Sequence, residues 1–313
     1  MQQNPLGKTG LSVTPLCIGT SPLGSFPAQY GYEVGADQAV ATITRVLQGP
    51  INFIDTSNNY GDGESERRIG KAIVAAGGLP EDFVLATKVD PLPGSDDFSG
   101  ARVRASVSES LQRLGLDRLQ LVYLHDPERM TFEQATAPNG PVAALVQLQE
   151  EGVIQHLGVA GGPIDLERKY VGLGVFDAVI SHNRYTLVDQ SAAPLIEDAA
   201  SSGVAFVNAA PYGGGMLVRG PDNVPTYCYQ PASETTLERV REMQRVCEER
   251  QVPLAAAALQ FSMRDPRVTS TIVGMSSPQR IEQTLRLAEW PIEDDLWSTL
   301  AQLAAPGRDG VGL

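Results

Sequence analysis

Short apolar runs recur along the chain at 16–18, 51–54, 84–86, 119–124, 154–159, 178–180, 204–207 and 271–273. Apolar at consecutive positions and rich in Val, Ile and Leu, they have the pattern of strands buried on both faces. Between many of them apolar residues return at helical spacing, as in Ala39, Val40, Ile43, Val46 and Leu47, in Ile69, Ala72, Ile73 and Ala76, and in Val103, Val107, Leu111 and Leu114. Each set forms one stripe that can pack on a sheet. The alternation predicts a parallel sheet, and eight strand–helix units closed on themselves predict an α/β fold of the (β/α)8, or TIM, barrel type. A doubly wound sheet would carry GxGxxG after its first strand, and Cys17-Ile18-Gly19-Thr20-Ser21-Pro22 has no such pattern.

Three stretches fall outside the repeat. Residues 6–13 set a Gly-bearing turn between two short β-prone arms and predict an N-terminal β-hairpin that closes the barrel floor. Residues 213–235, GGGMLVRGPDNVPTYCYQPASET, are too long and too rich in Gly and Pro for an ordinary βα connection, which predicts an extended, functional loop after the seventh strand. Residues 306–313 read as a frayed tail. A length of 313 residues fits one barrel, with 1–313 as a single domain.

Composition narrows the partners. No apolar run approaches the roughly 18 residues of a membrane span, and MQQNPLGKTG lacks the apolar stretch of a signal peptide, so a cytoplasmic location with no membrane partner is expected. A formal net charge of -13 without a basic stripe argues against nucleic acid. Cys17, Cys228 and Cys247 are odd in number, widely separated and free of CxxC spacing, so neither a disulfide framework nor a metal site is expected.

In a barrel of this type the βα loops ring one mouth, so residues that end strands converge there. The second, third and fourth strands end at Asp55, Lys88 and His125, and Tyr60 follows in the polar loop after the second. A tyrosine titrates near pH 10 (about) and is a poor proton donor or acceptor at neutrality. A neighbouring ammonium lowers that pKa, and a carboxylate behind the ammonium keeps it charged and oriented. His125 adds a hydrogen bond to the reacting oxygen. The set describes proton transfer to or from oxygen, with no nucleophile and no metal. Taken singly, each residue has an ordinary structural use: Asp55 as a turn cap, Lys88 as a rim charge, His125 as a core histidine. Only four lysines stand among the 24 basic residues, and one of them ends ATK directly after an apolar strand, which favours the joint reading.

Taken together, LGKTGLSVTPLCIGT, FIDTSNNYG, GESERRIGKAI, ATKV, SLQRLGLDRLQLVYLH and VGMSSPQRIEQTL resemble the aldo-keto reductases, a family of NAD(P)-dependent oxidoreductases on a (β/α)8 barrel. The resemblance covers nearly the whole chain. It implies a catalytic tetrad of Asp55, Tyr60, Lys88 and His125, with Tyr60 as general acid or base. It also implies a cofactor site at the mouth, with Gly19, Thr20, Asn183, Pro211, Gly213, Gly215, Arg280 and Thr284 at positions that bind NAD or NADP. Two departures stand out: Ala160-Gly161 replaces the Ser-Asn of many relatives, and Ala209 replaces a stacking aromatic. In Gly274-Met275-Ser276-Ser277-Pro278-Gln279-Arg280 the only charge is Arg280. A 2'-phosphate is usually gripped by more than one cation, so use of both cofactors with a lean to NAD is expected.

Within the family, YLHDPE, SHNRY and AAPYGGGML are most similar to bacterial sugar dehydrogenases that oxidise L-fucose, L-galactose or D-threo-aldoses at C1. That similarity implies an aldose 1-dehydrogenase whose polar substrate mouth includes Asp126, Arg184 and Asn208. The alternative within the family is an enzyme for another aldehyde or ketone, pyridoxal-type compounds included. Two readings come from other classes: a redox-sensing binding subunit, and a glycosidase on the same barrel. The glycosidase would need two carboxylates across the mouth, whereas Asp55 beside Lys88 is placed to stay ionised. The sequence leaves the oligomeric state open.

Overall fold

Strand alternation decides what fills the barrel and what reaches its mouth. In the computed structural model, which describes residues 1–304, the strands are β1 (Leu16–Gly19), β2 (Phe53–Asp55), β3 (Val84–Val89), β4 (Leu119–His125), β5 (Ile154–Gly161), β6 (Ala178–His182), β7 (Ala205–Ala209) and β8 (Val268–Gly274). They pair in parallel, and β8 returns to β1 to close the ring. This is the (β/α)8 barrel that the apolar pattern predicts. Successive side chains of a strand point to opposite faces. Phe53, Val84, Ala86, Leu121, Tyr123 and Val207 form the inner cluster. Ile54, Leu85, Val122, Leu124 and Phe206 face the helix layer. The inward parity continued toward the strand ends sets Asp55 above Phe53, Lys88 above Ala86 and His125 above Tyr123.

One long helix follows each of the first six strands: α1 (Ala36–Leu47), α2 (Glu64–Ala76), α3 (Gly100–Leu114), α4 (Pro141–Glu150), α5 (Ile164–Val171) and α6 (Ala193–Ser202), with single helical turns at Pro27–Tyr30 and Phe132–Ala135. Two lie between β7 and β8, α7 (Glu234–Glu249) and α8 (Leu254–Met263), and two follow β8, α9 (Pro278–Ala288) and α10 (Asp294–Leu303). Among the described residues no helix is long and apolar enough to cross a membrane. The three cysteines are buried and free.

The expected N-terminal hairpin is present as Asn4–Pro5 paired with Ser12–Val13, and its Leu6 and Val13 are buried against the inner cluster. The expected loop after β7 is an ordered segment. It holds a 3-10 turn (Gly213–Gly215), a helical turn (Met216–Arg219) and a small hairpin (Thr226–Tyr227 with Gln230–Pro231). Met216, Leu217, Val224 and Tyr227 pin it to Val240 and Met243 of α7. The expected tail at 306–313 lies outside the described residues.

One boundary differs from the apolar pattern, because β2 begins at Phe53 and leaves Ile51 and Asn52 below it. Asn52 is the reason. Its buried side chain accepts from the Thr14 main-chain N–H (2.8 Å) and donates to the carbonyls of Ser12 (2.9 Å) and Asp82 (2.8 Å). It thereby ties the floor hairpin to the chain on either side of β2. An unmatched buried polar group costs about 1–3 kcal/mol. Asn52→Ala should therefore lower stability by about 2–4 kcal/mol in a urea melt. A change below about 0.5 kcal/mol would show that the hairpin is held without it.

Candidate active site

Lys88 lies at the centre of the mouth. Its side chain is 3% exposed, and its ammonium donates to Asp55 Oδ2 (2.6 Å), to the Thr56 carbonyl (2.8 Å) and to Tyr60 Oη (3.1 Å). An ammonium has three N–H donors, so all are used. Because the Tyr60 oxygen accepts from Lys88, its own proton is free to point to the open side. Burial alone would lower the Lys88 pKa, but Asp55 and Tyr60 outweigh it and hold the group above the ordinary lysine value.

The main chain around these groups is fixed from β1 and its following turn. Thr20 Oγ1 donates to the Asp55 carbonyl (2.9 Å) and accepts from Ser65 Oγ (2.9 Å). Behind Tyr60 two glycines meet: a Cβ on Gly61, whose φ is +62, would lie 2.0 Å from the Gly24 carbonyl oxygen. Only that close approach sets the Tyr60 backbone against the β1 turn.

The tyrosine's electrostatics depart from the sequence expectation. Burial pushes the Tyr60 pKa up, the charge of Asp55 adds to this, and the pull of Lys88 does not cancel them. The same carboxylate that keeps Lys88 charged neutralises much of its field at the phenol. Tyr60 at rest is a proton donor.

His125, the last of the four, packs edge-on against Tyr60, with ring centroids 5.9 Å apart and planes at 81°. Its Nδ1 is 2.7 Å from Asp90 Oδ1, and its Nε2 is 3.5 Å from Asp126 Oδ1. Asp90 and Ser57, which hydrogen-bonds its carboxylate, are site residues that sequence reasoning missed. The signal was available: Asp90 stands two positions after Lys88 and so shares its inward parity.

The remaining residues divide. Asp126, left-handed at φ 42, makes no capping hydrogen bond to the turn after it and faces the mouth. It converges with two more groups missed from the sequence, Glu128 and His182, and ligand-capable atoms of the three lie within 4.8 Å of one another. They use the room left by Gly161-Gly162. A Cβ on Gly161 would be 3.0 Å from Glu128 Oε2, and one on Gly162 would be 3.3 Å from His182 Nε2. Burial lowers the His182 pKa and keeps its ring neutral.

Arg184 and Asn208 are placed otherwise than the polar-mouth reading expects. Arg184 is 11% exposed and pairs with Asp189 (3.6 Å). Asn208 has the outward parity of Phe206, and its amide donates to the Tyr185 carbonyl (2.7 Å) and to Ser262 Oγ of α8 (2.8 Å). Strand alternation turns it into the helix layer, away from the mouth.

Of the groups expected around a cofactor, Gly19 and Thr20 are buried at the end of β1, and Asn183, left-handed at φ 61, sits 3.2 Å from His182 Nδ1 through its amide. Pro211 is buried ahead of the glycine turn, where Gly213, Gly214 and Gly215 all have positive φ. Gly213 has no room for a side chain, since a Cβ would meet the Tyr227 ring at 2.6 Å, whereas beside Gly214 there is open space. The Arg219 guanidinium, also missed, lies against Gly215, and the buried Tyr212 hydroxyl of the same turn has no partner. Arg280 is exposed at the start of α9, within electrostatic reach of Tyr212, and Thr284 bonds back to its carbonyl (2.8 Å). The Arg219 guanidinium beside a turn without side chains, with Arg280 adding positive charge within electrostatic reach, fits a dianionic diphosphate.

Residues 15–305 match the Aldo/keto reductase family. The chain belongs to that family. L-galactose dehydrogenase of Arabidopsis thaliana is 34% identical over 286 residues, covering 90% of this chain and 86% of its own. D-threo-aldose 1-dehydrogenase of a Pseudomonas species is 31% identical over 321 residues, covering 94% of each. Among solved structures, an aldo-keto reductase from Bacillus halodurans in its holo form superposes with a TM-score of 0.81 at 22% identity, over 99% of both chains, and so shares the fold.

In this aldo/keto reductase the Gly24–Gly61 contact sets the Tyr60 position. Gly61→Ala should force the two loops apart and lower kcat by at least about tenfold, with a change in cofactor Kd of less than about twofold. An unaltered kcat would show that Tyr60 is positioned by Lys88 alone.

Proposed function

We propose that this aldo/keto reductase oxidises an aldose at C1 to the lactone, with the hydroxyl proton passing to Tyr60 and the C1 hydride to NAD or NADP. The nicotinamide, when bound, supplies the hydride acceptor. The observation that carries the reading is the triply hydrogen-bonded Lys88, which donates to Tyr60 and leaves the phenol oxygen as the group able to exchange a proton with substrate. His125 orients the reacting oxygen. Asp126, with Glu128 and His182, offers acceptors to sugar hydroxyls, and the sugar dehydrogenases at 34% and 31% identity support that class of substrate. Arg219 and Arg280 would hold the cofactor diphosphate, with Gly213–Gly215 beneath it.

The test is a panel of aldoses, L-galactose, L-fucose and D-arabinose among them, assayed at 340 nm with both cofactors. Oxidation should accelerate as pH rises, since the raised Tyr60 pKa leaves little phenolate at neutrality. Tyr60→Phe should lower kcat by about 10²-fold or more while cofactor binding stays near normal. Inert aldoses beside brisk reduction of simple aldehydes or ketones would sink the substrate class.

Cofactor choice follows from where the cations reach. With Arg219 and Arg280 on the diphosphate, no second cation is left for a 2'-phosphate, so kcat/KM for NAD should equal or exceed that for NADP. Arg280→Ala should then weaken both cofactors alike. A preference for NADP above about 30-fold, some 2 kcal/mol, abolished by Arg280→Ala, would put that guanidinium on the 2'-phosphate instead.

A further inference from the structure

Asp90 is 3% exposed and immobilised at every polar atom. Its main-chain carbonyl accepts from Arg102 Nε (3.1 Å), and its N–H donates to Ser106 Oγ (3.3 Å). One carboxylate oxygen takes the Ser57 hydroxyl and the Asn59 main-chain N–H (3.1 Å), and the other faces His125 Nδ1 at 2.7 Å. A carboxylate held this way can only accept, so Nδ1 must carry a hydrogen. Nε2 is then the sole nitrogen of the ring whose proton can change, and it lies on the side of the half-exposed Asp126, toward the mouth.

We propose that Asp90, clamped by Ser57 and the Asn59 N–H, is a positioning residue that fixes the Nδ1 proton of His125 and keeps Nε2 protonated, so that His125 meets the reacting oxygen as a charged hydrogen-bond donor beside Tyr60. The inference rests on the proton-transfer reading of the site. The charges facing His125 favour it on balance. Asp90 just after β3 and Asp126 after β4 stand at its two nitrogens, Asp55 on β2 and Glu128 after β4 add negative charge, and Lys88 on β3 opposes. Tyr60 is a neutral neighbour, and His182 on β6, kept neutral by burial, adds no positive charge. Against burial, Asp90 and then Asp126 raise the His125 pKa.

The consequence has a sign. If the imidazolium is the working form, turnover in the direction of carbonyl reduction is full below the His125 pKa and falls as pH rises through it. Without the Asp90 charge that fall moves to lower pH.

The chain has three histidines, so nitrogen-15 NMR of histidine-labelled full-length protein can resolve each ring, with His125→Gln giving the assignment. Wild-type His125 should carry hydrogen on Nδ1 at all pH values and lose its Nε2 proton only above the ordinary value of about 6.5. In Asp90→Asn that midpoint should fall by more than about one unit, and kcat should drop at least about tenfold with KM changed less than about threefold. Ser57→Ala should move the midpoint the same way by less. A merely structural Asp90 would cost stability and leave the midpoint in place. The proposal is overturned if wild-type His125 is the Nε2–H tautomer at pH 8, a result that stands even should Asp90→Asn fail to fold, or if the Asp90→Asn midpoint equals that of wild type. The spectra need no substrate, so inert aldoses would sink the proposed substrate class and leave this result untouched.

Discussion

Lys88 holds a charge where almost no water reaches it, and the surrounding mouth supplies what the missing water would have. Bringing an ammonium into such a place costs several kcal/mol unless its donors are matched. Here they are matched by a carboxylate, a carbonyl and a phenol, all from β2 and the loop after it. The arrangement has a chemical result as well as a structural one. With its third donor spent on Tyr60, Lys88 fixes the phenol oxygen as an acceptor on one side and turns its proton to the other. Removal of Asp55 would leave an uncompensated buried cation, a loss of about 3–5 kcal/mol in comparable pairs. The position of Asp55, braced through Thr20 and Ser65, thus bears on the stability of the mouth and on the placing of the Lys88 ammonium alike.

The electrostatic balance at the mouth is a compromise. The carboxylate that keeps Lys88 charged also raises the Tyr60 pKa, so the phenol is a better donor than acceptor in the absence of further positive charge. A second carboxylate of the same parity, Asp90, stands behind His125 as Asp55 stands behind Lys88. Two inward-facing pairs of carboxylate and cationic group thus flank one tyrosine. Each is anchored by backbone donors and acceptors rather than by long side chains alone, which limits the reorganisation needed when the reacting oxygen arrives.

Much of this was legible in the sequence because strands have a period of two. The ends of β2, β3 and β4 could be read from apolar runs, and with them Asp55, Lys88 and His125. The same period, applied consistently, exposes both an omission and an error. Asp90 shares the parity of Lys88, while Asn208 follows Val207 and so has to face outward. His182 is a second omission of the same kind, since it continues the inward parity of Ala178 and Ile180 on β6, whereas residues outside any period could not be read. Glu128 and Arg219 owe their positions to a 3-10 turn and to a helical turn after the glycine-rich stretch, whose paths depend on tertiary packing. Asn52 looked like strand because its neighbours are apolar, and its carbonyl does accept from the Val84 N–H (2.8 Å), but its side chain is spent on three hydrogen bonds across the floor that no apolar pattern reveals.

The glycine pair at the end of β5, Gly161-Gly162, links these themes. Gly161 and Gly162 leave space that a side chain would take, and Glu128 and His182 fill it from neighbouring elements. The mouth thereby presents carboxylates beside an imidazole that burial keeps neutral. Carboxylates accept and cannot donate, so beyond the Arg129 guanidinium that already reaches Asp126 (3.2 Å), the free lone pairs of Asp126 and Glu128 favour a substrate that offers hydroxyls. A simple aldehyde offers no donor to the half-buried Asp126, whereas a polyol can pair with it, and a site built to hydrogen-bond hydroxyls favours the ligand that carries them. This asymmetry is the physical ground on which the proposed sugar substrate is favoured over a plain carbonyl compound.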